Sequence, residues 1–211
     1  MISSHDITGL VLAGGRGSRM GGVDKGLQPF QGQALALHAL QRLQPQVGTC
    51  MLNANRSLET YQGFGVPVHP DVLLDYAGPL AGFLTGLTHC TTPWLLTVPC
   101  DSPCFPTDLA QRMAAVAERE QVTIVLAAGP EVGRDGTLSV RAQPVFALLH
   151  HSLLPSLQAF VAEGGRKIDA WTAQHPLALC RFDRASDDPH AFANANTLPE
   201  LHALEGQTPA V

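Results

Sequence analysis

Along the first two thirds of the chain, short apolar runs alternate with helical patterns, and this alternation narrows the possible folds more than any other feature. Residues 7–12, 49–53, 66–69, 94–98 and 123–128 read as strands. Between them, residues 34–43 and 80–89 carry apolar side chains at helical spacing. Pro106-Thr107-Asp108 opens a further helix that sets Leu109, Met113 and Val116 on one face. Such repetition implies βαβ units and a mostly parallel sheet covered on both faces. Residues 129–136, glycine-rich and polar, break the rhythm and lead into apolar runs at 138–140 and 145–149; a β-hairpin or antiparallel excursion at the sheet edge is expected there. Helices near 153–161 and 167–173, a strand at 177–182 and a closing helix at 198–204 complete the pattern. No internal repeat or low-complexity stretch intervenes, so residues 1–205 are expected to form one domain, with 206–211 as a frayed tail.

The chain has 211 residues, with 13 Lys+Arg against 18 Asp+Glu and a net charge of −5. That length can bury a core without disulfide or metal staples. Lys25 and Lys167 are its only lysines. An acidic, lysine-poor chain is unsuited to sequence-independent nucleic-acid binding, which needs clustered cations to displace counterions. No window approaches the roughly 18 apolar residues of a membrane-spanning helix. The first residues carry neither a basic segment nor an apolar stretch of the kind that directs secretion. Five scattered cysteines (Cys50, Cys90, Cys100, Cys104, Cys180) fit a reducing compartment, so a cytoplasmic location is expected.

In an open parallel sheet, ligands bind beyond the carboxyl ends of the strands. The residues that follow the expected strands are a glycine loop with Arg16, Arg19 and Lys25; Asn53 and Asn55; Asp71; and Pro99-Cys100-Asp101. The loop reads Leu12-Ala13-Gly14-Gly15-Arg16-Gly17-Ser18-Arg19-Met20-Gly21-Gly22-Val23-Asp24-Lys25. Glycines leave backbone N–H groups unobstructed and the cations neutralise charge, which is what phosphate binding requires. Two common phosphate loops do not fit. The dinucleotide pattern GxGxxG would need glycine where Met20 stands, and the second strand ends on Asn53 where that pattern needs an acid. GxxxxGK[ST] fails because Asp24 precedes Lys25 and Gly26 follows it.

The run LAGG-x3-RMGG-x-DKG from Leu12 to Gly26 resembles the molybdenum cofactor guanylyltransferase family, within the wider class of nucleotidyltransferases that open with LAGG or LAAG. Asn53-Ala54-Asn55-Arg56, Asp71, the segment from Asp75 through Gly78-Pro79-Leu80-Ala81-Gly82, Pro99-Cys100-Asp101-Ser102-Pro103 and Asn194-Ala195-Asn196-Thr197 resemble that family in order. Between residues 122 and 189 the resemblance thins, and Gly165-Arg166-Lys167 matches only loosely a basic pair that the family places near its pterin. The resemblance implies a single three-layer, Rossmann-like nucleotidyltransferase domain. It also implies a reaction: the terminal phosphate of molybdopterin attacks the α-phosphorus of GTP, pyrophosphate leaves and molybdopterin guanine dinucleotide forms. Mg²⁺, or Mn²⁺ in its place, would be the cofactor. On the same basis Lys25, Arg19 and Asp101 are catalytic, and Leu12, Ala13, Gly14, Gly15, Lys25, Asn53, Asp71 and Asp101 hold GTP. Asp101 holds the metal, and Gly22, Gly78, Gly82, Arg166, Asn194 and Asn196 meet molybdopterin. The implied partners are GTP and molybdopterin, together with other cofactor-biosynthesis proteins and recipient molybdoenzymes.

The residue chemistry agrees with these roles and leaves several open. Arg19 and Lys25 suit the charge that develops on a leaving pyrophosphate. Asp101 suits a hard cation, which takes one or two carboxylates plus phosphate oxygens, and it equally suits a turn in the proline-rich stretch 101–106. Asn53 offers donor and acceptor to a base, or is a turn residue after its strand. Gly78 to Gly82 forms an anion-accepting helix start, or a plain loop-to-helix transition with Pro79 at the first position. Asn194 and Asn196 reach pterin or phosphate, or cap the last helix. A related enzyme using CTP or a sugar-phosphate acceptor, and a non-catalytic nucleotide- and molybdopterin-binding accessory protein, are the competing functions.

Overall fold

The computed structural model describes residues 1–14, 24–72, 78–132, 137–195 and 200–201. The chain runs through β1 (Ile7–Leu12), a small ribbon of β2 (Pro29–Phe30) and β3 (Gln33–Ala34), α1 (Leu35–Leu43), β4 (Thr49–Asn53), α2 (Leu58–Gln62) and β5 (Val68–His69). There follow α3 (Pro79–His89), β6 (Trp94–Pro99), α4 (Leu109–Glu120), β7 (Ile124–Val132), β8 (Leu138–His150), α5 (Leu154–Ala162), α6 (Ile168–Thr172) and β9 (Leu177–Arg181). Of the closing helix expected at 198–204, only Glu200 and Leu201 are among the described residues, and both are helical.

Seven strands form one sheet in the order β5-β4-β1-β6-β8-β7-β9. β1 lies at its centre, parallel to β4 and β6, and β4 is parallel to β5. Because β1 is covered on both faces, its sequence is a continuous apolar run with no polar alternation. One face of the sheet carries α1 and α4, and the other carries α3, α5 and α6. In α1 the buried residues Leu35, Ala36, Ala39, Leu40 and Leu43 make the stripe that helical spacing predicts. α3 has no polar face between Leu80 and Leu87, all of which are buried, as befits a helix packed between the sheet and α5. Trp171 of α6 is fully buried against that second face, and a side chain of this size contributes roughly 1.5–3 kcal/mol by leaving water.

The expected antiparallel excursion is the β7–β8 pair, which joins the sheet through β8 against β6; β9, parallel to β7, is the one strand beyond it. Two local details are sharper. Residues 129–132, in the glycine-rich stretch that breaks the rhythm, continue β7. Pairing with β9 ends at Ala128↔Arg181, so Pro130 sits on an exposed edge where a missing N–H is tolerated, and Phe192 packs over the bare backbone of Gly129. The runs at 138–140 and 145–149 are one strand, not two. The register shifts opposite Leu126/Ala127, in the stretch that contains Pro144, and a bulge is where a strand accepts proline. No helix among the described residues is long and apolar enough to cross a membrane.

Candidate functional site

β1, β4 and β6 end level with one another: Leu12 faces Asn53 on one side and Pro99 on the other. Backbone bonds extend this one residue further, from Ala13 N–H to the Asn53 carbonyl (2.8 Å) and from Cys100 N–H to the Leu12 carbonyl (3.1 Å). The first residues of three loops are therefore held around one opening. Gly15, Arg19, Gly22 and Asn196, assigned to the site by resemblance, lie outside the described residues, as do Asp75 to Ala77 of the motif before α3.

On one side of the opening stands an amide–carboxylate network. Asn53, 2% exposed, donates from Nδ2 to the His69 carbonyl (3.1 Å) and to Asp71 Oδ1 (2.9 Å). Asn55 donates from Nδ2 to Asp71 Oδ2 (2.7 Å) and to the Gly14 carbonyl (3.1 Å), and its Oδ1 accepts the Asp71 N–H (2.8 Å). Leaving a buried amide unsatisfied is costly, so Asn53 fixes its surroundings. A Cβ on Gly14 would stand 2.9 Å from Asn53 Oδ1 and 3.0 Å from Asn55 Nδ2. A Cβ on Gly82, in the first turn of α3, would stand 2.9 Å from the same Asn53 oxygen and collide with Leu12. Gly14 is required by the approach of Asn53 and Asn55, and Gly82 by that of Leu12 and Asn53. Gly82 thus packs against the Asn53 side of the opening. Gly78, with φ +140, directly precedes Pro79 at the start of α3.

On the other side, Lys25 Nζ lies 2.6 Å from Asp101 Oδ2, each side chain 22% exposed. The neighbouring Asp24 accepts the Tyr61 hydroxyl at 2.6 Å. Tyr61 is fully buried in α2; burial and the bond to Asp24 push its phenol far above its ordinary value, so it acts as a neutral donor. Its hydroxyl fills the space that a side chain on Gly26 would need, which accounts for the glycine after Lys25. Cys100 is buried beneath this cluster and feels the charges of Asp101, Lys25 and Asp24. Burial first, then the Asp101 charge, raise its thiol, so it is a packing residue and no nucleophile. Asp101 keeps access to solvent and has the donor chemistry of a ligand for a hard cation.

The C-terminal segment returns to the same place. Ala195 N–H donates to the Asp101 carbonyl (2.8 Å), and Asn194 Oδ1 accepts from the buried Ser102 hydroxyl. Asn194 is therefore brought beside Asp101. Arg166 lies elsewhere, exposed in the link between α5 and α6. Sequence reasoning picked out Asn55 as a strand-end residue without giving it a role. It missed Tyr61, which lies on a five-residue helix and carries no motif signal.

His69, whose carbonyl anchors Asn53, stacks its ring on His89 at 3.8 Å and 11°. Burial first, then the neighbouring His89, lower its pKa below 6.5, and burial likewise lowers His38 and His150. The unfolded chain takes up these protons first. The stability contributed by the neutral rings is present above pH 6.5 and is lost as the pH falls through the lowered folded values. Thermal melts at pH 7.5 and 5.5 are expected to show a drop at the lower pH, and His69→Gln is expected to shrink it. An unchanged drop in that variant would remove His69 from this account.

Parallel strand ends that hold a lysine against a carboxylate on one flank, and an Asn–Asp network on the other, define an α/β domain of the nucleotidyltransferase class. Solved structures share the fold. They include molybdopterin-guanine dinucleotide biosynthesis protein A from Archaeoglobus fulgidus, with a TM-score of 0.74, 19% identity and coverage of 95% of this chain and 97% of that one. A 4-diphosphocytidyl-2C-methyl-D-erythritol synthase from Anaerococcus prevotii aligns with a TM-score of 0.71 at 9% identity, covering 97% and 99%. Sequence places the chain more narrowly, since residues 9–179 match the MobA-like NTP transferase domain. It is 69% identical over 207 residues to the molybdenum cofactor guanylyltransferase of Acidovorax ebreus, covering 98% of each chain. To that of Albidiferax ferrireducens it is 63% identical, covering 97% and 98%. The chain belongs to the molybdenum cofactor guanylyltransferase family.

Proposed function

We propose that the protein transfers GMP from GTP to the terminal phosphate of molybdopterin, forming molybdopterin guanine dinucleotide and releasing pyrophosphate. The observation that carries this reading is the pairing of two unlike flanks across the β1–β4–β6 strand ends: Lys25 with Asp101, and Asp71 with Asn53 and Asn55. An ionised carboxylate only accepts hydrogen bonds. Asp71 therefore suits guanine, whose Watson–Crick edge presents two adjacent N–H donors, and suits cytosine poorly, since that edge offers one donor and two acceptors. Asn53 completes the base side, and Leu12, Ala13, Gly14 and Gly15 serve as the phosphate contacts.

Phosphoryl chemistry of this kind asks for positioning and charge neutralisation more than covalent help. Lys25 holds a phosphate oxygen and balances the charge that grows on the departing pyrophosphate, with Arg19 as its second cation. Asp101 would hold Mg²⁺, or Mn²⁺ in its place, and such an ion when bound supplies Lewis-acid stabilisation of the triphosphate. Molybdopterin enters beside Asn194, with Gly22, Gly78 and Asn196 as further contacts; Gly82, packed against Leu12 and Asn53, and Arg166, in the link between α5 and α6, are not among them.

The test is incubation of the protein with molybdopterin, Mg²⁺ and each α-labelled nucleoside triphosphate in turn. Label is expected to move from GTP into a dinucleotide, and chelation of the divalent ion is expected to stop it. Transfer from CTP with none from GTP overturns the base assignment. Nucleotide and molybdopterin binding without any transfer identifies an accessory protein.

A further inference from the structure

We infer that Asn55 is a positioning residue for the Asp71 carboxylate, and through it a determinant of guanine selectivity. The inference rests on guanylyl transfer as the reaction and deepens it by naming what sets the orientation of the base-reading acid.

Asn55 is exposed, and an exposed asparagine ordinarily spends both ends of its amide on water. Here both ends are committed to one residue. Nδ2 donates to Asp71 Oδ2 at 2.7 Å while Oδ1 accepts the Asp71 backbone N–H at 2.8 Å. This two-point clamp fixes side chain against main chain and so removes the rotation that a half-buried carboxylate would otherwise have. Asn53 Nδ2 holds the second oxygen at 2.9 Å, so the carboxylate plane is set from both sides. Each carboxylate oxygen has about two acceptor sites, and the amides take one on each. The remaining site on each oxygen is open to the N1–H and N2–H donors of guanine. Asn55 Nδ2 also donates to the Gly14 carbonyl at 3.1 Å, which links the base-reading acid to the first residue of the phosphate loop. The clamp therefore holds the distance between the base end and the phosphate end of the nucleotide.

Selectivity is read by comparing GTP with inosine triphosphate, which keeps N1–H and lacks the N2 amino group. A hydrogen bond to a charged acceptor makes wild-type kcat/KM higher for GTP by about 10–100-fold. In Asn55→Ala only Asn53 still holds the carboxylate, and the oxygen that Asn55 released takes water. The ratio is expected to fall to within about threefold, chiefly through a higher KM for GTP, while the melting temperature stays within about 2 °C because the residue is exposed. Asn55→Asp places a carboxylate where Asp71 had a donor, so the two acids share a proton. That variant is expected to lose GTP use progressively as the pH rises, a profile that wild type does not show. A merely structural residue would move neither the ratio nor the pH profile. If wild type discriminates and Asn55→Ala discriminates equally, the inference is wrong while guanylyl transfer stands. If wild type forms dinucleotide from both triphosphates equally well, Asp71 does not read N2 and the inference is again wrong. If wild type uses no GTP at all, guanylyl transfer itself fails and takes the inference with it.

Discussion

Lys25→Ala is expected to lower dinucleotide formation by about 10²–10³-fold, the range seen when a single preorganised group facing a developing negative charge is removed. The expectation follows from where the ammonium is held. Tyr61 fixes Asp24, the steric demand of the Tyr61 hydroxyl fixes Gly26, and Lys25 between them starts a short 3₁₀ turn that delivers Nζ to Asp101. A lysine that sits 2.6 Å from a carboxylate before substrate arrives is already oriented, and the cost of ordering a long side chain is not incurred during the reaction. Lys25→Arg keeps the charge and is expected to recover only a small part of the rate, because a planar fork cannot replace a compact ammonium in a site shaped by Asp101 and Gly26. The fold should survive both changes. Each partner is 22% exposed, so water can reach Asp101 when the lysine is removed. Single-turnover assays at saturating GTP, with melting curves in parallel, make the comparison. A Lys25→Ala protein within threefold of wild type would take this residue out of the chemistry.

The sheet was legible because strand burial and sequence periodicity agree. β1, β4 and the buried stripe of α1 fall within a residue of where apolar spacing puts them. The hairpin was less legible because Gly129, Pro130 and Pro144 are loop-forming residues that here sit on an unpaired edge and in a bulge. Only tertiary packing, such as Phe192 over Gly129, separates the two cases. In the site, the residue types at the strand ends announced an anion and a polar base, and the DKG run marked Lys25. Their connections could not be read. Nothing local says that Gly14 and Gly82, far apart in the chain, answer to the same Asn53 oxygen, or that Tyr61 of a five-residue helix props the lysine turn. Asn194 shows the same limit: as an asparagine near a helix start it fits a cap, and its bond to Ser102 appears only once the C-terminal segment is folded back.

Arg112→Ala is expected to lower stability by about 2–3 kcal/mol, because one guanidinium holds that returning segment to the body of the domain. From α4, Arg112 makes a two-pronged pair with Asp187 at 2.7 and 3.1 Å, donates to the Arg181 carbonyl at the end of β9 and lies 3.9 Å from the Phe182 ring centroid. Its side chain is 11% exposed and that of Asp187 is 13% exposed, so truncation leaves a mostly buried carboxylate without its partner. The small remaining exposure puts the loss toward the low end for such pairs. For a chain of this length it corresponds to a fall of about 4–12 °C in Tm. Arg112→Lys should recover little, since an ammonium cannot serve Asp187, a carbonyl and a ring face at once. The pH dependence adds an independent check. The bond to Arg112 first, with backbone bonding and the nearby charges behind it, holds Asp187 below its ordinary 3.8. The pair's contribution is therefore present above pH 3.8 and disappears as the pH falls through the lowered folded value, so wild type and Arg112→Ala should converge in stability in strong acid. Beyond Asp187, the segment continues through Phe192, edge-on to Phe146 at 5.0 Å, to Asn194 and Ala195 beside Asp101. The segment reaches both Asn194 and the Asp101 backbone, so loosening the clamp should raise the KM for molybdopterin and for GTP together. A variant with wild-type Tm would show that the strap is held by its phenylalanines and not by Arg112.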